Sequence, residues 1–282
     1  MTVLRHSVTV LAVGPELVRE LASLLWETAE STRARGGTVL MPDGQPVPGL
    51  RLVKGRHLKS GARYETDGPD DAERMTLGIR EWRRTGAVEV EQLVTAPDLN
   101  GRLTLRLASP DRPGLLDARG RMWGPDGSGA LRRGSAKARA DLVAWWSAAA
   151  LPPGAPPAAR APATARVKHL LGEGRLYLRP RRAEDGQWRV EVAASVRGRW
   201  LLRPVAAVVL LLAGGPVRRG FRDAVERAAE GWNEAVGRLL ELGPDGIREE
   251  LARQAAEGRP AKESKDSKAS KDSEESKDVS KD

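Results

Sequence analysis

QWRVEVAASVRGRWLLRPVAAVVLLLAGGPVRRGFRDAVERAAEGWNEAVGRLL, residues 187–240, changes its hydrophobic period along its length, and that change decides the fold. Trp188, Val190, Val192, Ala194 and Val196 alternate with Arg189, Glu191, Ala193, Ser195 and Arg197, the period of a strand with one buried face. From Val217 onward the apolar residues step by three and four: Phe221, Ala224, Val225, Ala228, Trp232, Ala235, Val236, Leu239 and Leu240. This predicts an amphipathic helix of about six turns. Its other face carries Arg219, Arg222, Asp223, Glu226, Arg227, Glu230 and Glu234. Between the two patterns, Val205 to Ala213 is apolar on all sides, which predicts a buried core helix. Nine residues are too few for a membrane span, which needs roughly 20.

Working outward, Leu176 and Leu178 alternate with Arg175, Tyr177 and Arg179, so 175–197 reads as a hairpin turning at Ala183 to Gly186. At the other end, His6 to Val10 alternates. Gly14-Pro15 then opens a helix with Val18, Leu21, Ala22, Leu25 and Ala29 on one side, Arg33 and Arg35 at its C-terminus, and Gly36-Gly37 as its stop. Strand-like alternation recurs at 38–41, 50–53, 62–66, 75–80, 88–91, 102–107 and 115–123. Ser135 is placed to cap a helix holding Leu142, Val143, Trp145, Trp146 and Ala149. Trp145 and Trp146 point about 100° apart, so one of them is expected outside the core. Residues 151–165, LPPGAPPAARAPATA, read as a Pro/Ala-rich surface loop.

Gly243 ends the long helix, and Asp245 caps a short final one through Ile247 and Leu251. After that, Ser-Lys-Asp repeats offer nothing apolar to offset the entropy of ordering, so 259–282 reads as a disordered tail. The expectation is one α+β domain over 1–258: a large curved antiparallel sheet packed against a long C-terminal helix. Trp232, in the middle of that helix's stripe, is expected to be its anchor, with truncation to Ala costing about 3–5 kcal/mol.

In its order of strand, helix, many antiparallel strands and final long helix, the chain resembles the START-like, polyketide-cyclase-like helix-grip superfamily. The resemblance is carried by Val3 to Ala29 and by Gln187 to Leu240. It implies a sheet curled around the last helix, enclosing an apolar cavity.

The chemistry in the sequence is sparse. Cysteine is absent, and His6, His57 and His169 have no partner at metal-ligand spacing. No nucleophile elbow, P-loop or dinucleotide fingerprint occurs. No catalytic residue, metal or cofactor is expected, and the reading leans away from an enzyme. The start lacks the plan of a signal peptide, which leads to the expectation of a cytoplasmic protein.

Two functional readings follow. In the first, an apolar small molecule or lipid is bound in a cavity between sheet and C-terminal helix, lined by Trp188, Phe221 and Trp232. The second starts from charge. The net charge is +9, and the 6 Lys and 7 acidic residues from Pro260 to Asp282 leave residues 1–259 at +10. Arg197, Arg199, Arg203, Arg218, Arg219 and Arg222 would then contact a polyanion, either nucleic acid or an anionic membrane surface.

Overall fold

Alternation runs through most of the chain's middle, and the fold makes a single sheet of it. The computed structural model describes residues 2–67, 74–125, 130–152, 155–156, 159–183, 186–198 and 214–257. It is α+β. The strands are β1 (Thr2–Leu11), β2 (Arg33–Arg35), β3 (Thr38–Leu40), β4 (Pro46–Lys54), β5 (Arg63–Asp67), β6 (Arg74–Trp82) and β7 (Ala87–Thr95). They continue with β8 (Asn100–Ala108), β9 (Leu115–Trp123), β10 (Gly134–Asp141), β11 (Ala163–His169), β12 (Gly172–Arg182) and β13 (Gln187–Gly198). The helices are α1 (Pro15–Ser31), α2 (Leu142–Ala149) and α3 (Gly214–Glu257).

Among the described residues these strands form one 13-stranded antiparallel sheet, in the order β1-β13-β12-β11-β10-β9-β8-β7-β6-β5-β4-β3-β2. From β2 to β13 the chain is a continuous meander, and β1 closes onto β13 with Val10 opposite Trp188. Helix α3 touches both β1 and β4, which lie far apart in the strand order, so the sheet curls around it.

Residues directly opposite one another in an antiparallel ladder point to the same side. One such row runs through Val192, Leu178, Ala163, Ala140, Leu116 and Leu107. Rows of this set make one face apolar from end to end. The opposite face carries the arginines and glutamates. At each end the apolar face is covered. Val10, Trp188, Val190 and Val192 pack against Ala149 of α2 and Ala229 and Val236 of α3. Far along the sheet, Val39, Ala62, Tyr64 and Ile79 form a second core. Gly55 closes the turn beneath it at φ +82°, where an added Cβ would lie 3.0 Å from the Ala62 Cα, so glycine is required there.

The second core holds a closed hydrogen-bond chain. Thr32 Oγ1 donates to the Ala29 carbonyl at 2.6 Å and lies 2.8 Å from His57 Nε2. His57 Nδ1 is 3.0 Å from the Tyr64 hydroxyl, which accepts from Leu58 N–H at 2.8 Å. A neutral imidazole protonated at Nε2 satisfies every member. Burial pushes the His57 imidazole below its ordinary 6.5, against an opposing hydrogen bond at Thr32. The unfolded chain therefore takes up this proton first. The stabilisation is complete above pH 6.5 and is lost as pH falls from there toward the folded value. The thermal midpoint of the native protein should accordingly exceed that of His57→Gln most at pH 7.5, and the gap should narrow by pH 5. A gap that widens on acidification would contradict this network.

The edge strand β1 is covered by side chains of α3. Leu11 N–H donates to Asn233 Oδ1 at 2.7 Å, Asn233 Nδ2 donates to the Thr9 carbonyl at 3.3 Å, and Trp232 Nε1 donates to the Leu11 carbonyl at 3.0 Å. These bonds occupy edge groups that would otherwise invite another strand. They also correct the expectation for Trp232. Its ring is 44% exposed, and the face of α3 that meets the core carries Phe221, Val225, Ala229 and Val236 instead. The helix turned out to be rotated because β1's unpaired edge needed polar partners, and the indole N–H is one.

Four further expectations change. Residues 134–141 are strand β10, and α2 starts only at Leu142, capped by Asp141 accepting from Ala144 N–H at 2.9 Å; Ser135 caps nothing. Helix α1 ends at Ser31, so Arg33 and Arg35 belong to strand β2. Trp145 and Trp146 both reach the first core: Trp145 packs edge-on against Trp188 with ring centroids 5.6 Å apart, while Trp146 Nε1 donates to the Val13 carbonyl at 3.0 Å. The expected loop of 151–165 gives way to β11 at Ala163. Gly243, with φ +61°, breaks α3 where the sequence placed its end. The apolar run Val205 to Ala213 and the Ser-Lys-Asp tail lie outside the described residues. Among those residues, no helix is long and apolar enough to cross a membrane.

Candidate functional site

Between the two cores, strands β8 to β11 carry an apolar face with no large buried side chain. Its rows are Leu107, Leu116, Ala140; then Leu105, Ala118, Ala138, Ala165; then Leu103, Gly120, Ala136, Val167; then Gly101, Met122, Gly134. The small residues are the reason this region stays open. Gly and Ala lay a floor without filling the space above it. Larger side chains stand around that floor and remain exposed: Met122 at 52% and Val167 at 53%, with Leu103, Leu105 and Leu116 close to 40%. The result is a trough of about 360 Å³ lined by Val94, Leu103, Gly120, Met122, Ala136 and Val167. His169 sits at its end, fixed by Nε2 lying 2.8 Å from the Leu131 carbonyl, and Gln92 borders it. A concave apolar surface of this size with few polar groups is the usual form of a small-molecule site.

The three aromatic residues read from the sequence lie elsewhere. Trp188 is 9% exposed inside the first core, and Phe221 packs, half-buried, against the same cluster. Trp188 also borders an open crevice of about 610 Å³ with Ala12, Pro15, Trp146 and Gln187. Trp232 is on the β1 edge. The three are not gathered around one cavity.

The six arginines are also divided. Arg197 projects from the polar face of β13, whereas Arg218, Arg219 and Arg222 are exposed on α3, which packs against the apolar face. Arg222 lies 3.7 Å from Asp223 and 3.9 Å from Glu226. Arg199 and Arg203 lie outside the described residues.

The polar face has its own electrostatic pattern. Over β6 to β8 its bases and acids balance: Glu91 meets Arg80 at 2.7 Å and Arg102 at 3.7 Å, and Arg106 lies 3.7 Å from Glu81 and 3.9 Å from Glu89. Over β11 and β12, Glu173 bridges Arg166 at 2.6 Å and Arg175 at 2.7 Å, and these hydrogen bonds hold its carboxyl down to about 2. Among the described residues, Arg119, Arg121, Lys137, Arg139 and Lys168 have no ion-pair partner. The sequence does contain a signal for them. Basic residues stand two apart in Arg119/Arg121, Lys137/Arg139 and Arg166/Lys168, a spacing that shares one face once all three segments are strands.

No family model matches the chain, and no curated protein matches it. Two solved structures are similar in outline. The di-domain ARO/CYC StfQ from the steffimycin biosynthetic pathway aligns over 84% of this chain and 100% of its own, with 10% identity and a TM-score of 0.20. The di-domain ARO/CYC BexL from the BE-7585A biosynthetic pathway aligns over 92% and 100%, with 12% identity and a TM-score of 0.17. Likenesses of that size carry no argument about this chain's site.

Proposed function

We propose that the protein binds an apolar small molecule or lipid, without transforming it, against the open apolar face of β8 to β11. The observation that carries this reading is the floor of Gly120, Gly134, Ala136 and Ala138 ringed by exposed Leu103, Met122 and Val167. A contiguous exposed apolar patch in the centre of a folded sheet loses the stabilisation of burial, roughly 25 cal/mol per Å². Its retention between two well-covered ends is accounted for by a ligand that completes it. The ligand would lie on the same face that α3 grips at the β1 end.

The test uses the full chain with a neutral solvatochromic dye and a fluorescent long-chain fatty acid. Both should bind and shift to the emission of an apolar environment. Ala136→Phe fills the floor from an exposed position, so its urea midpoint should stay near that of the native protein. Its affinity for either probe should fall by about tenfold or more, the equivalent of 1.4 kcal/mol. Absence of binding by the native chain, or equal binding by Ala136→Phe, would remove the proposal.

A further inference from the structure

Arg119, Lys137, Arg166 and Arg175 stand directly opposite one another on four adjacent strands, β9 to β12, all on the polar face. At about 4.8 Å per strand the row spans about 14 Å. Like charges directly opposite across a ladder destabilise a sheet. Among the described residues, Glu173 is ion-paired with two members of this row, Arg166 and Arg175, while Arg119 and Lys137 have no ion-pair partner. On the next strand over, β8 places Thr104 opposite Arg119, where no carboxylate answers it.

The row forms the bed of a trough of about 400 Å³, with Arg139, Asp117 and the hydroxyl-bearing Thr164 and Tyr177 beside it. Arg166 Nε is buried there with no hydrogen-bond partner, so one guanidinium donor in this trough is unsatisfied. Strand β10 is open on both sides: Ala136 and Ala138 are exposed on one face, Lys137 and Arg139 on the other.

We infer that this cross-strand row is a binding site for a linear chain of linked phosphates laid across the strands, one that Arg119, Lys137, Arg166 and Arg175 neutralise together. Guanidinium groups suit this role because their forked donors pair with phosphate oxygens. A single phosphate reaches one or two of the four cations; a chain reaches all of them. The two sources of such a chain are free inorganic oligophosphate and the triphosphate tail of a nucleotide. The site faces away from the apolar trough, so it stands or falls independently of the proposed ligand there.

Calorimetric titration of the full chain with tripolyphosphate, ATP, orthophosphate and a single-stranded oligothymidylate tests it. Tripolyphosphate should bind at least tenfold more tightly than orthophosphate, with affinity falling steeply as salt rises. ATP binding as well as tripolyphosphate would identify a nucleotide tail as an acceptable source; ATP failing would restrict the site to free oligophosphate. Lys137→Glu should weaken tripolyphosphate at least tenfold, and Arg238→Ala, on α3, should not change it.

Stability separates a site from a structural role. If the row exists for binding, Lys137→Glu relieves repulsion and should leave the thermal midpoint equal or higher. No tripolyphosphate binding at low salt, undiminished binding by Lys137→Glu, or tighter binding of the oligothymidylate would each overturn the inference.

Discussion

Trp188→Ala is expected to destabilise the protein by about 3–5 kcal/mol, through lost transfer energy and the cavity left behind. Trp188 is opposite Val10, meets Trp145 edge-on, and lies in the cluster where β1, β13, α2 and α3 converge. Removing it loosens all four elements at once. Trp232→Ala should be milder, about 1–2 kcal/mol, because an exposed ring and one hydrogen bond to the Leu11 carbonyl are lost. Urea unfolding of the two variants measures the difference directly. Equal costs, or a larger cost at Trp232, would mean that α3 presents its Trp232 face to the sheet after all.

Trp26→Ala carries the second large effect, also about 3–5 kcal/mol. Helix α1 meets β6 through Trp26 stacked on Trp82, with centroids 4.7 Å apart and planes 19° from parallel. Trp26 is buried, and both indole N–H groups are buried without a partner. Such a group costs about 1–3 kcal/mol to leave unsatisfied. Trp26→Phe keeps a stacked ring and removes one of these donors, so it should be far milder than the Ala variant. The two variants, compared by urea unfolding and by near-ultraviolet dichroism of the stacked pair, decide the matter. If Trp26→Phe were as damaging as Trp26→Ala, the indole nitrogen would have to hold a partner and the account of the stack would fail.

The periodicity of the amino-acid sequence by itself determined the α+β class, the antiparallel sheet, the terminal strand-helix pattern and the break at Gly243. Those features are local: alternation of large apolar and charged residues needs only neighbouring positions to be read. Strands β10 and β11 escaped this reading because, Val167 apart, their apolar-face positions Gly134, Ala136, Ala138, Ala140, Ala163 and Ala165 are small. Small residues leave no periodic bulk and favour strands weakly. The open trough escaped for the same reason, since the residues that make room are the ones that give no hydrophobic signal.

The rest required the assembled sheet. An amphipathic stripe of ten residues along α3 leaves its rotation undetermined within tens of degrees, and the unpaired groups of Thr9 and Leu11 on β1 settled it by capturing Trp232 and Asn233. The alignment of Arg119, Lys137, Arg166 and Arg175 depends on the register of three separate strand pairs. A slip of one residue in any of them would turn one side chain to the opposite face, and no stretch of sequence holds all three registers at once.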